Sequence, residues 1–284
     1  MIRQQQVDEA NRLVVSIKDL PTLPTALAEI LQVANNPSAS AGDLQVVIGK
    51  DPALASKVLK IANSAMFGFS RRIESIQQSV VAIGFRRIRS VASAMAVAPM
   101  FKTDSGDLVD GPQLWSHSTA VAMWTQEIAR KARYQQTDLV FTGGLLHDIG
   151  ILILNQFAHE EYQQALAMAR DEQLPICHAE MKVLGTTHER VGAALCAKWM
   201  LPAGLTQIIS YHHSDPAPVD PAAQILVIAD YLANSNGLGE MSWLPAWPRP
   251  TTLSQALGLS TADMDDLQAR LDEVQQNVAL FSDS

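Results

Sequence analysis

The stretch from Asp138 to Phe157 is apolar on nearly every side of a helix, yet it carries a histidine and an aspartate near its middle. A helix that is apolar all round is buried among other elements. His147 and Asp148 are therefore predicted to enter the protein interior with it. Because an isolated carboxylate in apolar surroundings neutralises, pairs or binds a cation, Asp148 needs a compensating group from a neighbouring helix.

The sequence pattern in the remainder of the chain predicts helices and almost no strands. Alternating β-branched runs bounded by turn residues do not occur, whereas capped segments with helical spacing follow one another. Asp51 can cap a helix that has a proline in its first turn, and Ser40 with Asp43 resembles a capping pair. The segment from Ser75 to Phe101 predicts two helices broken near Gly84. We therefore predict an all-α protein.

The domain boundaries are predicted from two irregular stretches. Thr103 to Pro112 is polar, acidic and rich in turn residues, which favours a boundary between two helical lobes. We predict an N-terminal helical lobe at residues 1–102, a second helical lobe at residues 103–234 and a C-terminal extension at residues 235–284. Within the extension, the stretch from Pro245 to Pro250 suits neither helix nor strand.

A last helix is predicted after this stretch, and its apolar residues recur at alternating steps of three and four. Such a seam is typical of a helix that docks on one partner helix. The partner is either the chain's own bundle or, in a dimer, a second copy. The seam consists of Met264, Leu267, Leu271, Val274, Val278 and Phe281.

The composition is that of an ordinary globular protein, because 48% of its 284 residues are hydrophobic. A formal net charge of -8 argues against a general or specific nucleic-acid binder. Only Cys177 and Cys196 are present, which fits a reducing cytoplasm. The amino terminus lacks the apolar core of a signal peptide, and the longest apolar stretch, Val91 to Phe101, is about half of what crosses a bilayer. We therefore expect a cytoplasmic protein without a membrane span.

Positive charge is concentrated in the segment from Lys50 to Lys102. This segment contains nine Lys or Arg and two acidic residues, which gives it a net charge of +7. This asymmetry predicts that the N-terminal lobe engages a regulatory partner protein or an anionic ligand. The alternative is that its arginines are merely the solvated faces of helices. The predicted basic patch consists of Arg71, Arg72, Arg86, Arg87 and Arg89.

Apolar neighbours predict that two more polar residues point inward. His117 shares one face of its helix with apolar residues at offsets of minus three, four, seven and eleven, and Asp230 lies mid-helix among isoleucines and leucines. A lone inward histidine can equally be a hydrogen-bonded core residue. A second buried acid is harder to explain in that way.

Three further histidines lie at helix ends. His188 falls in the first turn of a helix that Thr186 can cap together with Glu189, and His212 and His213 end another helix. Singly, each could be a surface histidine or a charge favoured by the helix dipole. Together with the inward residues they predict a centre for one or two divalent transition metals such as Fe, Mn, Ni or Zn, since imidazole and carboxylate ligands suit these ions. The predicted ligands are His117, His147, Asp148, His188, His212, His213 and Asp230.

Specific motifs extend through most of the chain, from about Leu13 to Asp230. They are Leu20 to Pro24, Asp51 to Ser64, Ser75-Ile76 with Ile83 to Phe85, Gly144 to Gly150, and His188 to Trp199 with Leu201-Pro202. These motifs resemble the HDOD domain, a bacterial signalling relative of the HD metal-dependent phosphohydrolases. The resemblance implies a two-lobed helical fold whose second lobe is like the HD phosphohydrolase core. It also implies a regulatory role in bacterial signal transduction.

The resemblance implies a division of the ligands as well. HDOD domains have commonly lost several HD metal ligands, whereas this chain retains the full series. By similarity to the HD-GYP phosphodiesterases of cyclic di-GMP, one metal would be held by His117, His147, Asp148 and Asp230. A second metal, bridged by Asp148, would be held by His188, His212 and His213.

Four positions depart from the HD-GYP pattern. The lysine that follows the His-Asp-Ile-Gly run is Ile151 here, and the glutamate after the paired histidines is Ser214. The Gly-Tyr-Pro segment is replaced by Asp215 to Val219, and an acidic ligand of some three-metal members is Gln113. Without a cation to position a phosphate, catalysis loses a large electrostatic contribution, although binding can survive.

Two functions follow from these residues. We predict a signalling protein with an adaptor or output role rather than an efficient enzyme. The alternative is an active metal-dependent phosphohydrolase or phosphodiesterase on a nucleotide or cyclic dinucleotide. In that case His147, Asp148 and Asp230 are essential ligands, and a bridging hydroxide is the nucleophile.

Overall fold

The computed structural model describes residues 2–34, 36, 38–64, 67, 69, 71–104, 107–213, 220–238 and 251–282. These residues form helices and contain no strand, which confirms the predicted fold class. In chain order the α-helices are α1 (Ile2–Ser16), α2 (Thr25–Ala34), α3 (Ala41–Gly49), α4 (Pro52–Ala62), α5 (Ile76–Ile83), α6 (Phe85–Val97), α7 (Gly111–Lys131), α8 (Thr137–Leu146), α9 (Ile149–Phe157), α10 (His159–Asp171), α11 (Ile176–Leu184), α12 (His188–Lys198), α13 (Ala203–Ile209), α14 (Pro221–Ser235), α15 (Thr251–Ala256), α16 (Thr261–Gln268) and α17 (Leu271–Ser282). A short 3-10 helix, Ala98–Phe101, follows α6.

The chain divides into two compact units. Unit 1 comprises Met1–Pro21 and Thr103–Val274, and unit 2 comprises Thr22–Lys102 and Gln275–Ser284. Helix α17 therefore begins in one unit and ends in the other. The predicted division shares the boundary between residues 102 and 103 but differs from this one at both ends of the chain.

Local sequence signals start the helices of unit 2 where they were predicted. The Asp51 carboxylate accepts from the backbone N–H groups at the start of α4, at 2.9 and 3.1 Å. Ser40 and Asp43 form a reciprocal capping box at the start of α3. Gly84, with a φ of 104°, separates α5 from α6 in a conformation that glycine adopts without a steric penalty.

The first helix belongs to unit 1 because it packs along α12. Ala10 and Val14 of α1 are buried. Lys198 Nζ donates to the carbonyl oxygen of Val14 at 3.2 Å, and Trp199 Nε1 donates to that of Pro21 at 2.9 Å. These contacts join residues far apart in sequence, so the turn-rich stretch after residue 102 could not indicate them.

The stretch predicted as a boundary is tied to α9 by one buried side chain. Asn155 Oδ1 accepts from the backbone N–H of Leu108 at 2.9 Å, and Asn155 Nδ2 donates to Asp107 Oδ1 at 2.9 Å. The other predicted irregular stretch, Pro245 to Pro250, lies outside the described residues.

The predicted last helix is two helices, and that prediction was wrong. Helix α16 ends before Ala269, and α17 starts at Leu271, while Arg270 Nη1 donates to Glu127 Oε2 of α7 at 3.0 Å. Five members of the predicted seam are buried within the single chain, as docking on its own bundle requires. These five are Met264, Leu267, Val274, Val278 and Phe281.

Two glycines allow the helices of unit 1 to approach closely. A Cβ atom on Gly144 of α8 would lie 2.6 Å from the Cα of Ala122 in α7. On Gly150 of α9 it would overlap the carbonyl oxygen of His188 and lie 2.7 Å from the backbone nitrogen of Gly192, both in α12. These contacts draw α7, α9 and α12 toward the turn between α8 and α9.

The segment Thr137–Phe157 is long and apolar enough to cross a membrane by length and composition alone. This corrects the sequence interpretation, which took the shorter Val91–Phe101 as the longest apolar stretch. However, 78% of its apolar window is buried inside the protein, and core helices meet the same criterion. The turn at His147 and Asp148 divides the segment into α8 and α9.

Candidate metal centre

The Asp148 carboxylate lies in the turn between α8 and α9 and faces imidazoles on two sides. Its Oδ2 lies 3.0 Å from His147 Nε2 and 3.6 Å from His117 Nε2. Its Oδ1 lies 3.4 Å from both His188 Nε2 and His212 Nε2. We call the Oδ2 side, with His117, His147 and Asp230, the first sub-site. The Oδ1 side, with His188, His212 and His213, is the second sub-site.

Backbone carbonyls orient both imidazoles of the first sub-site. His117 Nδ1, from α7, lies 2.9 Å from the carbonyl oxygen of Leu238, and His147 Nδ1 lies 2.8 Å from that of Gly144. Because a carbonyl oxygen only accepts, each Nδ1 carries a proton, and each Nε2 is turned toward the carboxylates. The second carboxylate, Asp230 of α14, lies 3.1 Å from His117 Nε2 through its Oδ1.

A buried carboxylate orients the second sub-site. Glu180 of α11 accepts from the backbone N–H of His188 at 2.9 Å and from its Nδ1 at 2.8 Å. His212 Nδ1 lies 2.7 Å from the carbonyl oxygen of Ile209 and therefore also carries the proton. His213 stacks beside His212 with ring centroids 4.2 Å apart, and its backbone N–H donates to Glu189 Oε2 at 2.8 Å.

Several nitrogen and oxygen atoms of the centre that can accept a proton or a cation face one another. Nε2 of His147 is buried without a hydrogen-bond partner among the described residues, although a carboxylate oxygen is 3.0 Å away. Nε2 of His188 and Nε2 of His212 are 3.3 Å apart. Acceptors packed in this way are satisfied by a shared proton or a cation, and ligating histidines typically donate their other N–H to a carbonyl or carboxylate. The buried cluster could therefore hold a metal ion.

The pKa shifts of the cluster also indicate a demand for positive charge. Burial opposes the charged form of His117, but the hydrogen bond and charge of Asp230 raise its pKa to about 9. His188 is likewise buried, and Glu180 raises its pKa to about 9. Burial favours neutral Asp148, yet the His147 imidazole holds the pKa of Asp148 well below its ordinary value. Without a metal, protons are drawn into the same space.

His213 differs from the other six predicted residues in exposure. Its side chain is half-buried, whereas the other six residues are buried. Burial and the neighbouring imidazole of His212 lower the pKa of His213 well below its ordinary value. His213 is thus a neutral imidazole at the side of the centre nearest to solvent.

The structure brings all seven predicted residues together in unit 1, and their role as ligands stays a prediction. The residues that the sequence interpretation missed are the buried Glu180 and Asn234, whose Nδ2 donates to Asp230 Oδ1 at 2.8 Å. The predicted cap was wrong, because α12 follows Thr187 rather than Thr186 and Glu189 bonds to His213 instead. A glutamate with alanine and cysteine neighbours on its helix was the available signal for Glu180.

The positions that depart from the HD-GYP pattern have different locations. Ile151 is 1% exposed within the apolar core of α9, so no cation enters the centre from that position. Gln113 is half-buried in the first turn of α7. Ser214 and the segment Asp215 to Val219 lie outside the described residues.

The predicted basic patch of unit 2 is only partly a surface. Arg71, Arg72, Arg86 and Arg87 are exposed. Arg89 is 7% exposed, and its guanidinium lies over the ring of Phe85 at 5.4 Å. Arg89 was therefore wrongly included in the predicted basic patch, because its side chain is buried.

Comparison with known proteins gives a family match and a shared fold. A model described as the HDOD domain matches residues 20–215. An HDOD domain protein of unknown function from Geobacter sulfurreducens has a TM-score of 0.85 at 25% identity, with 98% of this chain and 99% of that chain covered. A Shewanella amazonensis SB2B protein described as a candidate phosphohydrolase has a TM-score of 0.72 at 24% identity, with 99% and 98% covered. At that identity the second likeness establishes the fold alone.

A sequence relative comes from Treponema pallidum (strain Nichols) and is described as an uncharacterised protein. It is 26% identical over 231 residues, which are 80% of this chain and 44% of that protein. The chain thus spans less than half the length of this curated relative. The likeness concerns only one part of that longer protein.

Proposed function

We propose, from the premise that this chain belongs to the HDOD family, that it is a cytoplasmic bacterial signalling protein whose unit 1 binds divalent metal. Its role in this proposal is that of an adaptor or output module rather than of an efficient enzyme. The observation that carries the proposal is the Asp148 carboxylate, whose two oxygens face two groups of imidazoles with outward N–H groups already bonded.

The residues present fit one or two transition-metal ions. His117, His147, Asp230 and one oxygen of Asp148 would hold the first ion. His188, His212, His213 and the other oxygen of Asp148 would hold the second. Imidazole and carboxylate together suit Fe, Mn, Ni or Zn. When bound, such ions supply Lewis acidity and lower the pKa of a coordinated water.

A regulatory role is favoured by the surroundings of the centre. The cation that positions phosphate in the related phosphodiesterases is replaced by the buried Ile151. Loss of such a cation removes a large part of transition-state stabilisation while leaving the ligands intact. In this proposal the chain therefore keeps the residues that would bind metal and lacks one group that would support turnover.

A second candidate function is a metal-dependent phosphohydrolase on a nucleotide or cyclic dinucleotide. The observation that favours it is the complete ligand series around a single shared carboxylate. Two-metal phosphohydrolases use such an arrangement to stabilise the attacking and leaving oxygens. In this candidate His147, Asp148 and Asp230 are essential.

Metal analysis of untagged protein tests the proposal. We expect stoichiometric Fe, Mn, Ni or Zn in the wild type, its loss in Asp148→Ala, and its retention in the control Asp171→Ala, which changes an exposed aspartate at the end of α10. A wild type that stays metal-free after incubation with each of these ions would contradict the metal centre.

Hydrolysis of a chromogenic phosphodiester with manganese separates the two functions. For an adaptor we expect the wild type and His147→Ala to be equally inactive. Turnover by the wild type that disappears in His147→Ala would instead establish the phosphohydrolase.

The exposed arginines of unit 2 support a second part of the proposal, that this surface engages an anionic regulatory partner. Arg86→Glu with Arg87→Glu should lower the salt concentration that elutes the protein from heparin resin, because the interaction is electrostatic. The control is Arg12→Glu with Arg170→Glu, which changes the net charge equally in unit 1. Equal elution of both double variants would leave these arginines as solvated helix faces.

A further inference from the structure

Unit 2 contains a cleft that the proposed metal centre does not use. Its volume is about 470 Å³, and small-molecule sites typically have volumes of roughly 300 to 1,000 Å³. It lies among α2, α3, α4 and the end of α6, and every residue that lines it belongs to unit 2. The cleft is therefore complete within one compact unit.

Two of the sequence motifs lead into this cleft. Pro24, the last residue of one motif, lines the cleft from just before α2. Ala53 and Lys57, from the motif that begins at Asp51, line it from α4. Neither motif contributes a predicted metal ligand. The cleft gives both motifs a shared location within unit 2.

The lining of the cleft is mostly apolar. Leu54 of α4 and Met95 and Ala96 of α6 line it and are buried. Ala26 of α2 and Ala53 of α4 line it as well, and their short side chains leave space between the helices. A ligand that enters the cleft is therefore stabilised by burial of apolar surface.

Lys57 provides a charge for such a ligand. The other charged residues of the lining already have partners, since Lys50 Nζ donates to Glu29 Oε1 at 2.6 Å and the Asp51 carboxylate accepts from backbone N–H groups of α4. Lys57 is half-buried and has no hydrogen bond or ion pair within the part of the chain that the structure describes. Its ammonium group is therefore available to an anion.

We propose that this cleft binds a small molecule with an apolar body and a single anionic group, and that the anionic group pairs with Lys57. A lysine acts as a point charge, so a carboxylate or a sulfonate suits it equally. A dianion such as a phosphate monoester is disfavoured, because the carboxylates of Glu29 and Asp51 also line the cleft. The inference is independent of the metal centre and gives the signalling protein a site for an effector.

The test uses two fluorescent probes, the monoanion anilinonaphthalene sulfonate and its neutral analogue phenylnaphthylamine, with the whole chain. The sulfonate should bind the wild type at a single saturable site. Lys57→Gln should weaken it roughly threefold to fivefold, the loss expected for an ion pair at a partly exposed position, and should not weaken the neutral analogue. The control Lys102→Gln removes the same charge from an exposed residue of unit 2 outside the cleft and should bind both probes like the wild type.

A second variant locates the site. Ala53→Phe adds a ring at an exposed position of the cleft wall and should prevent both probes from binding. A wild type that does not bind the sulfonate, or binding that Ala53→Phe leaves unchanged, would overturn the proposal. Binding that Ala53→Phe abolishes but Lys57→Gln leaves unchanged would assign the cleft to a neutral apolar group and overturn the ligand class. If Ala53→Phe loses its helical circular dichroism signal, the comparison of Lys57→Gln with Lys102→Gln decides.

Discussion

The two sub-sites share one carboxylate but are built differently. In the first, backbone carbonyls orient both rings, and Asp230 adds a second carboxylate 3.1 Å from His117 Nε2. In the second, three imidazoles gather around one oxygen of Asp148, and Glu180 stands behind His188. The first sub-site therefore has two carboxylates, whereas the second has three imidazoles around one oxygen of the shared carboxylate.

This difference teaches what each sub-site is suited to do. Attraction to a divalent cation is stronger where two carboxylates face it, so we expect the first ion to bind more tightly. The second sub-site contains the half-buried His213. We therefore expect retention of metal on the first side and exchange of metal on the second.

The largest expected effect is on the tightly bound ion. Asp230→Ala should weaken it by more than about a hundredfold, since loss of a supporting group alone typically causes a loss of 10 to 100-fold. His212→Ala should release only the weaker ion. Dialysis against increasing concentrations of a chelator, followed by metal analysis, measures how tightly each of the two ions is held. A tight ion that survives Asp230→Ala but not His212→Ala would reverse the comparison.

Replacement of Gly150 tests whether the two sub-sites depend on the close contact between α9 and α12. Gly150→Ala should lower the free energy of unfolding by about 3 kcal/mol, because its Cβ would overlap the carbonyl oxygen of His188. Gly204→Ala is the matched control, since its Cβ would make an ordinary contact 3.6 Å from Leu139. Urea unfolding measures both variants. Equal stability would show that α9 and α12 can separate without loss.

The smallest expected effect sharpens the role of Glu180. Glu180→Gln should weaken the second ion roughly tenfold, because His188 loses a charged hydrogen-bond acceptor but keeps a neutral one. The first ion should be unaffected. Glu172→Gln is the control, as Glu172 is exposed and pairs with Lys182. Competition with a chromogenic chelator measures the affinities of the two ions. An equal loss of affinity at both sub-sites would show that Glu180 does not support the second sub-site alone.

The sequence predicted the members of the centre but not the groups that support them. The apolar stretch around His147 and Asp148 had to be buried, and a buried acid requires a partner. Glu180 carries only a weak signal, its alanine and cysteine neighbours, because a glutamate two residues before Lys182 also resembles an exposed helix face. Only the packing of α11 against α12 makes it a partner of His188.

Other errors have physical causes as well. The steps of three and four in the last seam continue across Arg270, so periodicity could not reveal that α16 and α17 are separate. Arg86, Arg87 and Arg89 look alike as sequence, but only Arg89 stacks on Phe85 and is buried. In each case a long-range or aromatic contact decided the outcome.

The shared carboxylate has a consequence for how the protein fills with metal. A cation held by one oxygen of Asp148 would withdraw electron density from the other oxygen and so weaken the binding of a second cation. If both sub-sites bind metal, we therefore expect sequential, anticooperative loading, with a broad interval of free metal concentration between empty and fully occupied protein. Such a molecule would report metal availability as a graded signal with an intermediate, singly occupied form.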